Sequence, residues 1–194
     1  MLAEVAEFKD GTTGSHVRRI EEYTRRLALE LGLDAETATA YAHASCLHDV
    51  GKVGIPDDIL KKAGALTSEE FDVIKSHPRI GDTILRRNPS WTLARSVALT
   101  HHERWSGTGY PDGLKGEDIP LESRIVAVVD VFDALVSVRP YKEAWHPEKA
   151  VEHLKRESGL HFDPHIVAAF LRLYDRGELA DMVASAKAEK PDPG

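Results

Sequence analysis

Disulfides have almost nothing to work with in this sequence: Cys46 is the single cysteine among 194 residues. That excludes an intramolecular disulfide framework and fits a reducing compartment, with Cys46 expected to pack in the core. A basic excess is also missing, since 32 acidic residues outnumber 25 basic ones for a net charge of -7 with histidine neutral. No global basic field is therefore available to a long nucleic-acid backbone. A short anionic ligand would need a local basic pocket. No apolar run approaches the roughly 20 residues that cross a bilayer. The acidic start, from Met1 to Asp10, lacks the basic and apolar segments of a signal peptide. These absences imply a soluble, cytoplasmic protein with no membrane contact. Internal repeats are absent as well.

Histidine is what the sequence has in quantity, ten in a chain long enough for one domain with a sizeable core. The apolar pattern around the histidines is helical. Val17, Ile20, Leu27 and Leu31 recur at helical spacing over 15–31, and Gly32 ends that helix. Asp34 suits the N-cap of a second helix that carries His48 and Asp49 at its end. Thr67 and Glu70 have capping-box spacing, opening a helix that reaches His77, and Pro78 forces a kink or a fresh start. Another helix is predicted from Trp91 to His102. The segment from Leu121 to Val138 is apolar on several faces and reads as a buried central helix, although its β-branched run would also suit a strand. Pro147 and Pro164 open two more helices, and Met182 lies on a last short one. Between them, Arg104 to Pro120 holds four glycines and two prolines, which predicts an ordered loop directly after His101 and His102. The fold class is all-α.

Several of these residues carry chemistry. The His48-Asp49 pair can converge on one cation, and a carboxylate can bridge two; alone, the pair could equally be a cap beside a packed imidazole. Asp130 in a buried apolar helix needs a partner, either a metal or a salt bridge to an arginine such as Arg124. His16 alone would be an ordinary surface histidine. Lys52, four residues after His48 and just past Gly51, is suited to stabilising charge on a phosphate oxygen.

The order His16, His48-Asp49, Asp130 resembles the HD phosphohydrolase superfamily. His77, His101-His102-Glu103-Arg104 and Gly109-Tyr110-Pro111 then resemble, specifically, the HD-GYP family of cyclic dinucleotide phosphodiesterases, over about residues 16–170. The resemblance implies a compact helical domain over 13–187, behind a helical lead-in at 1–12 and before a disordered tail at 188–194. It implies His16, His48, Asp49, His77, His101, His102 and Asp130 as ligands of two divalent metals, with Asp49 as the bridge. Mixed imidazole and carboxylate ligation suits iron or manganese, then zinc or nickel, better than calcium. A hydroxide held between the metals would attack phosphorus in line, with Asp49 orienting it. The implied substrate is cyclic di-GMP, opened to linear pGpG, with the onward step to GMP left open. Another cyclic dinucleotide, a nucleotide phosphate, or a binding module without turnover are the alternatives.

Lys52, Arg139 and Lys142 match residues that grip substrate phosphates, and Gly109, Tyr110 and Pro111 match the substrate loop. Tyr110 and Trp105 either stack on guanine or anchor that loop. Thr12 stands where some members place a glutamate for a third metal, so two metals are expected; Glu7 and Asp10 are the remaining candidates. Ser106 and Val138 replace aspartates frequent in the family. Asp133 is expected to support a ligand histidine, and His43, His146, His153, His161 and His165 fit no ligand set. The resemblance further implies an upstream sensory or receiver domain, and an apolar strip on the lead-in would favour a homodimer.

Overall fold

The computed structural model describes residues 9, 15–138 and 144–188. Expectations for Glu7, Asp10, Thr12, Arg139, Lys142 and residues 189–194 lie outside the described residues. Helices run Ser15–Glu30 (α1), Ala35–Ser45 (α2), Asp57–Leu60 (α3), Ser68–Ile74 (α4), His77–Leu85 (α5) and Thr92–Thr100 (α6). They continue as Leu121–Val136 (α7), Pro147–Glu157 (α8), Pro164–Asp175 (α9) and Ala180–Ala188 (α10), with 3₁₀ turns at Val50–Gly54, Pro89–Trp91 and Gly116–Asp118. No strand occurs among the described residues.

Local signals explain most of the boundaries. α1 buries Val17, Ile20, Tyr23 and Leu27 on one face, and Gly32 ends it at φ +87°, a left-handed conformation that glycine adopts without penalty. Asp34 caps α2 by accepting from the Thr37 amide at 2.8 Å. Thr67 and Glu70 form the reciprocal capping box of α4. Pro78 marks a fresh start rather than a kink, because α4 ends at Ile74 and His77 is the first residue of α5.

α7 is the axle of the fold. Ile125, Val126, Val128, Val129 and Phe132 are fully buried, so apolar residues cover several of its faces, as a central helix requires. Its β-branched residues do not make it a strand, since burial on several faces outweighs a propensity of a few tenths of a kcal/mol per residue. On one side Ile125, Val128, Val129 and Phe132 join Ile20, Tyr23, Leu27, Leu154 and Phe170 in the larger core. There the Phe132 ring lies 5.8 Å from Tyr23 and 4.7 Å from Phe170. On the other side Val126 joins Ala44, Val50, Leu85, Val97 and Ala98 in a smaller core. Each large side chain buried this way stabilises the fold by roughly 1.5–3 kcal/mol. Cys46 is half-buried, with its Sγ 3.5 Å from the Ala42 carbonyl, rather than in either core.

Glu30 ties α1 to α9. Its carboxylate accepts from Arg176 Nη2 at 2.5 Å and Arg172 Nε at 2.6 Å, which lowers it from 4.5 to about 2. A depressed carboxylate stabilises the fold above its unfolded value, and that contribution is lost as pH falls through the folded value. Glu30→Gln is therefore expected to flatten the acid limb of a plot of melting temperature against pH between 4.5 and about 2. An unchanged acid limb would mean that the ion pair is screened out.

Candidate metal centre

Residues from five parts of the chain meet at the seam between the two cores. α1 supplies His16 and α7 supplies Asp130. α2 stops at Ser45, so His48 and Asp49 fall not on its last turn but in the turn that leads into Val50–Gly54. Likewise, α6 ends at Thr100, leaving His101 as its C-cap and His102 just beyond. The Arg124 partnership that sequence allows for Asp130 does not form, since Arg124 pairs with Asp163 at 2.7 Å.

The ring orientations follow from Nδ1. His48 Nδ1 lies 2.8 Å from the Ser45 carbonyl, His77 Nδ1 2.8 Å from that of Ile74, and His101 Nδ1 3.0 Å from that of Val97. A carbonyl only accepts, so each Nδ1 carries the proton and each Nε2 presents a lone pair to the centre. His16 is set in the same way, its Nδ1 donating to Asp133 Oδ2 at 2.7 Å. Asp133 also holds Arg19 through Nε at 2.7 Å and Nη2 at 3.0 Å.

Asp49 faces both ways. Its Oδ1 is 3.3 Å from His77 Nε2 and 3.7 Å from His101 Nε2, while Oδ2 is 3.2 Å from His48 Nε2 and 2.8 Å from Lys52 Nζ. Asp130 Oδ1 lies 3.7 Å from His16 Nε2 and 3.8 Å from His48 Nε2. Two ligand groups result, Asp49 with His77, His101 and His102, and His16 with His48 and Asp130, the donor atoms of each group lying within 4.8 Å of one another. Among the described residues, His43, His146, His153, His161 and His165 join neither group.

Orphaned atoms test whether a metal fits. His48 Nε2, Asp49 Oδ1, His77 Nε2 and His101 Nε2 are buried and lack a hydrogen-bond partner. A buried polar atom left unpaired costs about 1–3 kcal/mol, and four of them aimed at one place suit divalent cations of borderline softness. The electrostatics agree. Burial alone would lower His48, yet Asp49 and Asp130 overcome it and raise it to about 9, so without an ion a proton on Nε2 supplies the positive charge these carboxylates demand, and a bound cation would replace it. Burial would raise Asp49, but Lys52 and His48 outweigh it and hold the carboxyl well below its usual range. Burial lowers His101 and, more strongly, His102, keeping their lone pairs available.

Two residues not singled out for the site build it. Gly51 lies so close to α5 that a Cβ there would fall 1.9 Å from the His77 carbonyl, so only glycine lets Asp49 reach His77. Glu103 is buried, and its carboxylate accepts from the amides of Asp112, Gly113 and Leu114 at 2.7, 3.1 and 3.1 Å. It pins the glycine-rich loop against the site, where Tyr110 stacks on His102 at 4.8 Å and 26°. Trp105 is tied through its amide to the His161 carbonyl at 3.0 Å. The signal for Glu103 in the sequence is an acidic residue set between two ligand candidates and a loop full of free amides.

Fold and site together define a helical domain with paired histidine and aspartate clusters suited to metal ions. The profile of the HD domain family matches residues 1–166. The chain belongs to the HD domain family, in its HD-GYP branch. It is 45% identical over 195 residues to the cyclic di-GMP phosphodiesterase response regulator RpfG of Xanthomonas campestris, covering 100% of this chain and 51% of that protein. It is 44% identical over 176 residues to 3'3'-cGAMP-specific phosphodiesterase 2 of Vibrio cholerae, covering 90% of this chain and 34% of that one. The chain thus spans about half or less of these relatives. The fold is similar to that of V-cGAP3, a cyclic GMP-AMP phosphodiesterase of V. cholerae, at a TM-score of 0.68 and 22% identity over 96% of this chain and 52% of that one. It is also similar to Bd1817 of Bdellovibrio bacteriovorus, at a TM-score of 0.66 and 18% identity over 82% of this chain and 51% of that one.

Proposed function

We propose that this domain is a metal-dependent phosphodiesterase that opens cyclic di-GMP to linear pGpG. The observation that carries the reading is the convergence of four orphaned buried ligand atoms beside Lys52. In this reading Asp49, His77, His101 and His102 hold one divalent ion and His16, His48 and Asp130 the other, with Asp49 between them. Iron, manganese, zinc and nickel all suit this mixed imidazole and carboxylate donor set. When bound, such ions supply Lewis acidity and a water acidified toward neutral pH.

The chain's own residues supply the rest. Asp49 fixes the geometry through both carboxylate oxygens. Lys52, 19% exposed and 2.8 Å from Asp49, has its ammonium at the site edge, where a phosphate oxygen would meet it. The loop Gly109, Tyr110 and Pro111 forms a wall beside His102. Arg139 and Lys142 follow the ligand helix and serve as further phosphate grips. The relatives named for cyclic di-GMP support the choice of substrate.

The test is to purify the protein without oxygen, measure metal per chain by elemental analysis, and assay the same sample by chromatography of the products. About two metals per chain, with pGpG formed from cyclic di-GMP, is the expected result. Two metals with no turnover on any cyclic dinucleotide would refute it and favour a binding module. In the same assay Lys52→Ala is expected to keep its metal and lose about 10²–10³-fold in kcat, as removal of one charge-stabilising donor does. Loss of metal in that variant would make Lys52 structural.

A further inference from the structure

Beside the metal centre stands an arginine with a fixed backbone and an untied side chain. The Gly109 backbone packs so tightly on Arg104 that a Cβ there would fall 2.4 Å from the Arg104 amide nitrogen. The Arg104 carbonyl accepts from Gly107 at 2.7 Å, and the next amide, that of Trp105, donates to His161 at 3.0 Å. The preceding residue is the pinned Glu103. Other arginines of this region are engaged, Arg79 with Asp112 at 2.6 Å, Arg124 with Asp163 at 2.7 Å and Arg19 with Asp133 at 2.7 Å. Arg104 is exposed, and among the described residues no hydrogen bond or ion pair holds its guanidinium. Tyr110, the residue after Gly109, stacks on His102 at 4.8 Å and 26°, so Arg104 stands where this loop meets the ligand candidates.

We infer that Arg104 is a specificity-determining residue that reads a guanine of the dinucleotide through its N7 and O6 edge. The inference rests on the proposed phosphodiesterase reading. An arginine fork donates two parallel hydrogen bonds to the paired acceptors of guanine, whereas adenine puts an amino donor in place of O6 and repels the fork. A phosphate at the reacting centre already has Lys52 as a point charge. What a planar fork adds, anchored one residue from a buried carboxylate, is discrimination between bases.

The experiment compares wild type, Arg104→Lys, Arg104→Ala and Arg104→Gln on cyclic di-GMP and cyclic di-AMP. KM and kcat are measured in metal-loaded protein, and dissociation constants by calorimetry in chelator-treated protein, where turnover is blocked. Wild type is expected to prefer cyclic di-GMP. Lysine and alanine should each raise KM for cyclic di-GMP by about tenfold or more with kcat little changed, the lower end of what a bidentate arginine–guanine pair contributes. Glutamine, which pairs with adenine, should shift preference toward cyclic di-AMP. Rescue by lysine, or an equal loss on both dinucleotides, would mean a phosphate contact and overturn the inference. So would unchanged constants in all three variants. A wild type that turns over neither dinucleotide sinks the phosphodiesterase reading instead, and the calorimetric base preference then decides Arg104 alone. Equal melting temperatures across the variants separate these effects from misfolding.

Discussion

Asp49→Ala is expected to strip metal and hydrolysis from the protein together. Oδ1 of Asp49 faces His77 and His101 while Oδ2 faces His48 and Lys52, so one side chain is shared by both ligand groups. No other carboxylate among the described residues is placed to replace it, since Asp130 approaches only His16 and His48. Metal content should fall from about two per chain to below one. Turnover should drop by more than the roughly 10²–10³-fold that follows loss of one charge-stabilising donor. Asp49→Asn, which keeps the volume but not the charge, should behave alike. Retention of both metals with wild-type turnover would remove Asp49 from the centre.

The second large effect is expected at Asp133, which no solvent reaches. Its carboxylate accepts from Arg19 Nε at 2.7 Å, Arg19 Nη2 at 3.0 Å, His16 Nδ1 at 2.7 Å and Ser137 Oγ at 3.3 Å. Alanine there would leave the Arg19 guanidinium, itself 4% exposed, buried without a counter-charge. Breaking a buried pair from one side costs about 3–5 kcal/mol, a large part of the stability of a domain this size. The same change frees the His16 ring, and removing such a supporting carboxylate weakens metal binding by about 10–100-fold. Urea unfolding measures the first effect and metal titration the second. A variant with the wild-type urea midpoint and metal affinity would show that the Asp133 network carries neither.

The readable part of this protein was its punctuation. Asp34, the Thr67–Glu70 box and Gly32 each act on groups within about three residues of themselves along the chain, so their effects are visible locally. The seven ligand candidates, implied by the resemblance to the HD-GYP family, fall into the two clusters at the seam. Element ends were less legible: the stop of α2 at Ser45 depends on how the following turn packs against α5, a contact between residues 26 apart in Gly51 and His77. Arg19 stayed hidden for a similar reason, because its buried role exists only once Asp133, 114 residues later, lies against α1. Glu103 was in plain view within its motif, but a carboxylate that collects three amides looks like any surface glutamate until the loop closes on it.

The seam between the two cores has one further consequence. Ligands drawn from both sides would turn a bound ion into a fastener, joining α1 and α7 to the packing unit around α5 and α6. Anything that binds the folded state alone adds to its stability, by about 2.7 kcal/mol at a hundred times the dissociation constant. Metal supply would then govern how much folded protein survives proteolysis as well as how fast that protein works. A cell short of the right ion would then lose the domain itself along with whatever the bound ion enables.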